Sequence, residues 1–108
     1  MDADLVFKAL ADPARRALLD SLRERGGQTL AGLCQGRAMS RQAVTKHLDI
    51  LEAANLVVSE RRGRERLHHL NPVPIQEIAD RWIGKFQQAP LRALANLKKT
   101  LENQSDDS

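Results

Sequence analysis

The chain has 108 residues and one cysteine, Cys34, so its length fits one domain and an intrachain disulfide is excluded. Its start, MDADLVFKAL, lacks the basic end and apolar core of a signal peptide, and no apolar run could span a membrane, so we expect a cytoplasmic protein without a membrane partner. The formal net charge of +3 comes entirely from residues 28–70, with seven basic and four acidic side chains, which favours a polyanionic partner.

Two helices are predicted at the beginning of the chain. The first covers residues 4–11 and has three apolar positions, Leu5, Val6 and Leu10. Asp12 and Pro13 are the residue types expected at an N-cap and at a first helical position. The second helix therefore runs from Pro13 to about Arg25, where two glycines end it, and its inward side chains are Leu18, Leu19 and Leu22.

The next two helices form a closely spaced pair. Thr29 can cap a short third helix, which carries Leu30, Leu33 and Cys34 on one face. After a turn at residues 36–39, Ser40 can cap a fourth helix that ends at Asn55, a residue tolerated in the left-handed conformation. The fourth helix has an apolar side formed by Val44, Leu48 and Leu51, and a polar front formed by Arg41, Gln42, Thr45 and Lys46.

The remaining segment changes from strand to helix periodicity. Two strand-like runs, residues 57–61 and 66–70, flank a glycine-containing turn at residues 62–65 and predict a hairpin. Residues 71–74 (Asn-Pro-Val-Pro) end the hairpin and start a long last helix. Its apolar stripe consists of Ile75, Ile78, Trp82, Phe86, Leu94, Leu97 and Leu101. Pro90 lies on this stripe without changing its phase, which predicts a kink or short break.

This order of elements is that of a winged helix-turn-helix: mainly α, α-α-α-α-β-β-α, with the hairpin as the wing. In such a domain, the second helix of the pair enters the DNA major groove with its N-terminal residues leading. Arg41 and Lys46 then suit guanine, Gln42 suits adenine, and Thr45 offers a hydroxyl and a methyl group. We therefore expect double-stranded DNA as the partner, although a merely solvated polar face would give the same pattern.

Further DNA contacts are expected at the edge of the fourth helix and on the wing. Ser40 can touch a phosphate as well as cap the helix. His47 lies on the apolar side, so it is either a partly buried structural imidazole or a phosphate ligand. Around the wing, Arg62 and Arg64 are the favoured phosphate or minor-groove contacts.

Neither a metal site nor an active site is indicated. His68 and His69 are successive strand residues that point to opposite faces, and they show no zinc-ligand spacing with Cys34 or His47. Ser40, His47 and Asp49 lack the geometry of a catalytic triad, and no phosphate-binding glycine loop is present. We expect no cofactor and no enzymatic activity.

Three segments resemble the ArsR family of bacterial winged-helix repressors. They are FKALADPARRALLDSL (7–22), MSRQAVTKHLDILEAANLV (39–57) and RRGRERLHHLNP (61–72), in the family's order. The likeness covers about residues 5–102 and is closest to the branch often encoded beside, or fused to, START-like (SRPBCC) domains. It implies repression of transcription at an inverted repeat. We expect one domain over residues 1–102, followed by a polar tail at 103–108 whose composition predicts disorder.

The same resemblance implies a homodimer built on the first and last helices. The interface residues would be Leu5, Val6, Leu10, Ile78, Trp82, Phe86, Leu94, Leu97 and Leu101. The chain departs from the family's metal and redox sensors, because Cys34 is its only cysteine and its last helix has no histidine. A small-molecule effector is not indicated by any converging polar groups. Two alternatives stay open: a winged-helix module that binds an acidic protein, and a metal-responsive repressor using Cys34 and histidines.

Overall fold

The computed structural model describes residues 2–83, 97–99 and 101, and the chain divides into two compact units, Met1–Gln76 and Glu77–Ser108. The first unit begins with four helices: α1 (Ala3–Leu10), α2 (Pro13–Glu24), α3 (Leu30–Cys34) and α4 (Arg41–Ala53). An antiparallel hairpin follows, β1 (Val57–Arg62) and β2 (Glu65–Leu70). The unit ends within α5 (Val73–Ile78), which continues directly into a π-helical turn, Ala79–Ile83.

Each of the first four helices begins at a side chain that accepts hydrogen bonds from its first turn. Asp12, Thr29 and Ser40 cap α2, α3 and α4, which confirms three predictions from the sequence. Asp2 caps α1 in the same way, so this helix begins one residue earlier than predicted. Local side-chain chemistry therefore decides where these helices start.

The apolar sides of the helices form one core in the first unit. Side chains of α2 and α4 supply half of the buried apolar residues, and the others come from α1, α3, the connection after α4 and the start of β1. The buried residues of α2 and α4 are the predicted ones: Leu18, Leu19, Leu22, Val44, Leu48 and Leu51. Leu33, Leu56 and Val57 join them. On α3, the predicted shared face is only partly buried, because Leu30 and Cys34 are half-buried.

Two residues with positive φ shape the turns on either side of β1. Asn55 has a φ of 60° just after α4, as predicted for the end of this helix. Gly63 has a φ of 65° in the two-residue turn between β1 and β2, where a side chain would be strained. Since Arg62 pairs with Glu65, each strand is one residue longer than predicted.

A short third partner of the hairpin was not predicted. Gln28, between α2 and α3, pairs with His68 of β2 in antiparallel fashion. The His68 carbonyl accepts from the Gly27 and Gln28 N–H groups at 2.9 and 3.2 Å, and the His68 N–H donates to the Gln28 carbonyl at 2.8 Å. The hairpin is thereby fastened to the helical part of the unit.

The C-terminal segment differs from the single long helix predicted. Its start agrees with the prediction, since α5 begins at Val73, and Pro74 does not interrupt it because the first turn needs no N–H from this residue. From Ala79 to Ile83 the backbone is π-helical, which changes the phase of the side chains. Residues 97–99 and 101 are helical again, whereas Phe86, Pro90, Leu94 and the predicted tail lie outside the described residues. Within the described part, no helix is both long and apolar enough to cross a bilayer.

Candidate DNA-binding surface

The N-terminal half of α4 carries a polar surface on a firmly buried base. Arg41, Gln42, Thr45 and Lys46 are all exposed. On the opposite side, Val44 and Leu51 are completely buried and Leu48 is 4% exposed. The four polar residues form two rows along the helix because residues four apart are neighbours. The predicted base-reading residues are thus gathered on one face that is open to a partner.

The hydroxyl of Thr45 is already used inside the helix. Its Oγ1 donates to the carbonyl of Arg41 at 2.9 Å. Thr45 therefore presents only hydroxyl lone pairs and a methyl group to the outside, which is narrower than the donor, acceptor and methyl expected from the sequence. This geometry leaves two readouts, acceptance of a hydrogen bond from a base amino group and contact with the methyl group of thymine.

Ser40 orders the first turn of α4. Its Oγ accepts from the N–H of Ala43 at 3.1 Å, so its hydroxyl hydrogen is free to donate outward. The first N–H groups of a helix favour an anion. Capping and phosphate contact are therefore compatible roles for this residue.

His47 is held by a second helix. Its Nδ1 lies 3.3 Å from Nη1 of Arg15 on α2, and the ring is half-buried. Arg15 in turn donates to the carbonyls of Ala9 and Lys8, at 2.8 and 3.0 Å. This contact agrees with the prediction of a partly buried structural imidazole. It involves only Nδ1, so it leaves Nε2 available for the alternative role of phosphate ligand.

The wing tip presents arginines with little support. Arg62 has a side chain that is 76% exposed and lies 3.6 Å from Glu60. Arg64 is exposed at the turn, and Arg66 donates to Ser59 Oγ at 3.4 Å. Exposed ion pairs of this kind contribute little stability, so these guanidinium groups can exchange their partners for phosphates.

A groove of about 470 Å³ separates α4 from the wing. Arg41 and Thr45 line it from the helix, and Arg64 and Arg66 line it from the hairpin. Three acidic residues also line it, Asp49, Glu52 and Glu65, and sequence reasoning did not place the first two there. The sequence could have indicated this, because Asp49 and Glu52 follow Arg41 by 8 and 11 residues, and such spacings place residues on the same side of a helix.

The base of the wing is fixed by a buried polar network. Gln28 is 6% exposed, and its Nε2 donates to the Ser21 carbonyl, to Ser21 Oγ and to the Arg25 carbonyl at 2.8–3.1 Å. The carbonyl of Gln28 also accepts from Nδ1 of His68 at 3.0 Å. The sequence did not indicate this role of Gln28, because the residues around it show no strand pattern and its partner His68 is 40 residues away.

The candidate metal ligands are dispersed. His68 bonds to Gln28, and His69 Nε2 lies 3.2 Å from Glu60 on the hairpin. His47 bonds to Arg15, while Cys34 is half-buried at the end of α3. Among the described residues, no three histidine, cysteine or acidic side chains are grouped so that they could hold a metal ion.

The residues expected at a dimer interface differ in accessibility. Val6 is 1% exposed and belongs to the core of its own protomer, which removes it from the surface that α1 can offer. Leu5 is 41% exposed and Leu10 is half-buried, while Phe7, which was not predicted, is 48% exposed. In the second unit, Ile78 is half-buried, and Trp82, Leu97 and Leu101 are exposed.

The carboxylate of Asp12, the N-cap residue of α2, stabilises the helix that carries Arg15. Asp12 Oδ1 accepts from the N–H groups of Ala14 and Arg15, at 2.7 and 3.3 Å. Desolvation opposes ionisation of Asp12, but these two hydrogen bonds and the positive charge of Arg15 outweigh it and lower its pKa.

Known proteins are similar to this chain in sequence and in fold. Residues 10–60 match the family model described as a helix-turn-helix domain. Two relatives come from Bacillus subtilis (strain 168). The HTH-type transcriptional regulator YuzN is 41% identical over 86 residues, covering 74% of this chain and 94% of its own. The transcriptional repressor SdpR is 36% identical over 82 residues, covering 75% and 88%.

A solved structure extends the likeness to most of the chain. The ArsR-like transcriptional regulator from Rhodococcus sp. RHA1 is 33% identical and superimposes with a TM-score of 0.70, covering 91% of both chains. The predicted winged helix-turn-helix is confirmed, and so is the prediction of a regulator rather than an enzyme. The chain belongs to the ArsR family of DNA-binding helix-turn-helix transcriptional regulators.

Proposed function

We propose that the chain is a homodimeric repressor that reads an inverted-repeat operator with the N-terminal half of α4. The observation that carries this proposal is the contrast between the two sides of α4, since Val44 and Leu51 are completely buried and four exposed polar residues face outward. A helix fixed in this way holds its polar side chains in a constant position against the bases. SdpR, a repressor at 36% identity, supports repression as the outcome of binding.

Contacts on either side of α4 would fix the register on the duplex. Arg41, Gln42 and Lys46 are the residues proposed to meet base edges, with Thr45 against a thymine methyl group. Ser40, His47, Arg62 and Arg64 are proposed to hold phosphates. The two-fold symmetry of a dimer would place two α4 helices about one helical turn apart, which makes the operator an imperfect palindrome.

The dimer would use exposed apolar side chains of both units. On α1 these are Leu5, Phe7 and half-buried Leu10, and in the second unit they are Ile78, Trp82, Leu97 and Leu101. A chain of 108 residues forms a small core, so the surface buried by a second copy adds stability that the protomer lacks.

A footprint of the purified protein on the promoter region of its own gene tests this function. We expect protection of two half-sites with two-fold symmetry, and an apparent affinity whose logarithm falls steeply with the logarithm of salt concentration. A single unsymmetrical protected site would contradict the dimer. Binding that is insensitive to salt, or binding only to an acidic protein, would contradict the DNA-reading role.

A further inference from the structure

Arg15 joins three helices through one guanidinium group. Its side chain, on α2, is 13% exposed. Nε and Nη2 donate to the carbonyls of Ala9 and Lys8 in the last turn of α1, and the Lys8 carbonyl also accepts from the N–H of the C-cap residue Ala11 at 3.3 Å. Nη1 faces Nδ1 of His47 on α4 at 3.3 Å. Two hydrogen bonds to α1 therefore fix the guanidinium group of Arg15 in the position from which it contacts His47.

The chemistry of the guanidinium group decides where His47 carries its hydrogen. Arginine has five N–H donors, no acceptor, and a charge that persists at all ordinary pH values. Nδ1 of His47 must therefore accept the hydrogen bond through its lone pair. A neutral imidazole has one N–H, so the hydrogen of His47 resides on Nε2, on the edge of the ring turned away from Arg15.

We propose that Arg15 is a positioning residue for DNA binding: it holds His47 as the Nε2–H tautomer and so directs a single donor towards a backbone phosphate. Nε2 has no hydrogen-bond partner within the described residues. His47 follows exposed Lys46 and lies between the polar front and the buried side of α4. Residues at the edge of a recognition helix meet phosphates rather than base edges. The inference rests on the proposed function, since it requires α4 to enter the major groove.

A neutral donor has a signature that separates it from the cationic contacts. Removing a lysine or arginine from a phosphate reduces the number of counterions released and so flattens the salt dependence of affinity. Removing the Nε2–H of His47 would lower affinity while leaving that dependence unchanged. The loss would also be equal for all DNA sequences, because phosphates carry no sequence information.

Nitrogen NMR of the His47 imidazole in the unmodified protein tests the first step without DNA or variants. We expect Nδ1 to be unprotonated and Nε2 to carry the hydrogen, at about pH 8.5, above the range in which imidazoles ordinarily titrate. A hydrogen on Nδ1 under these conditions would overturn the proposal, whatever the protein does with DNA.

A double-mutant cycle tests the second step, with Arg16→Gln as the matched control. Arg16 is the next residue of α2, carries the same charge, and donates to the Leu10 carbonyl at 2.7 Å without contacting His47. The probes are a duplex selected by the wild-type protein from a randomised pool and a scrambled duplex of the same composition. Thermal unfolding of each variant identifies a temperature at which all are folded.

We expect Arg15→Gln and His47→Ala each to weaken binding to both duplexes about tenfold, because each removes an oriented hydrogen bond to a charged group. Arg16→Gln should change affinity less than about twofold. In the His47→Ala background, Arg15→Gln should add less than about twofold, because its effect passes through the imidazole. Additive losses, or a flattened salt dependence in His47→Ala, would overturn the proposal. If the wild-type protein selects no duplex, the proposed function fails together with this DNA step, and the tautomer is still decided by NMR.

Discussion

Helix α4 and the wing both present arginines to the same groove, yet the structure holds them in opposite ways. The polar front of α4 stands on completely buried Val44 and Leu51 and begins at a capped first turn. At the wing tip, Arg64 is exposed at the turn, and Arg66 donates one long hydrogen bond to Ser59 Oγ at 3.4 Å. Base recognition needs side chains in fixed positions, whereas phosphate contacts tolerate adjustment. This difference is the reason that we propose sequence reading for α4 and a contribution to affinity for the wing tip.

The largest expected effect tests whether α4 depends on its buried side. Leu51→Ala should lower the free energy of unfolding by about 2–5 kcal/mol, since it leaves a cavity in the core. Val58→Ala is the control in β1, where the valine is 48% exposed, and it should cost less than about 1 kcal/mol. Urea unfolding of both variants measures the contrast. Equal losses would mean that the wing is anchored as firmly as the helix.

Arg41→Ala should remove a contact to a base edge. We expect a loss of DNA affinity of about 1–3 kcal/mol and a relaxed preference at one base pair of each half-site. Affinity measurements on operators with every base at each position would detect this change. An unchanged titration with Arg41→Ala, together with abolished binding in Arg64→Ala, would reverse the roles assigned to the helix and the wing.

Arg64→Ala should act on affinity without changing sequence preference. We expect a smaller loss, on the order of threefold, that is uniform across sequences and accompanied by a salt dependence reduced by about one counterion per protomer. Binding to the same set of operators at several salt concentrations separates this behaviour from that of Arg41→Ala. A loss confined to one base pair would show that the wing also reads sequence.

The smallest effect concerns the support of α4 from α2. The folded state lowers the pKa of Asp12, so its carboxylate contributes stability that is complete above the ordinary carboxyl pKa and is lost as the pH falls through the lowered value. Asp12→Asn keeps a capping oxygen but has no such titration, and Asp12→Ala removes the cap and should unfold at a slightly lower urea concentration at neutral pH. Urea unfolding at a series of acidic pH values measures this effect. The free energies of unfolding of the wild type and of Asp12→Asn should approach each other as the pH falls. A difference between the two free energies that grows on acidification would contradict the lowered pKa of Asp12.

Local chemistry explains which parts of the fold were predictable. Ser40, Asn55 and Gly63 fix a helix start, a helix end and a turn through their own side chains or their lack of one. The polar front of α4 was predictable for a similar reason, since helical spacing alone separates it from the apolar stripe. The structure then narrowed one role, because Thr45 already donates to the Arg41 carbonyl.

Features that depend on distant partners could not be predicted in this way. Gln28 acquires its role only when β2 lies beside it, and Phe7 is exposed because Val6 and Ala9 occupy the core instead. The π-helical turn at Ala79–Ile83 interrupts a stripe whose sequence period is regular. The contact between Arg15 and His47 spans 32 residues of sequence, and no pattern along one helix indicates it.

The pairing of Gln28 with His68 gives the hairpin a mechanical property. Because the middle of β2 is hydrogen-bonded to the connection after α2, we expect the base of the wing to move together with the helices. A pull on the tip by a duplex would therefore be transmitted to the C-terminal turn of α2, where Gln28 holds the carbonyls of Ser21 and Arg25.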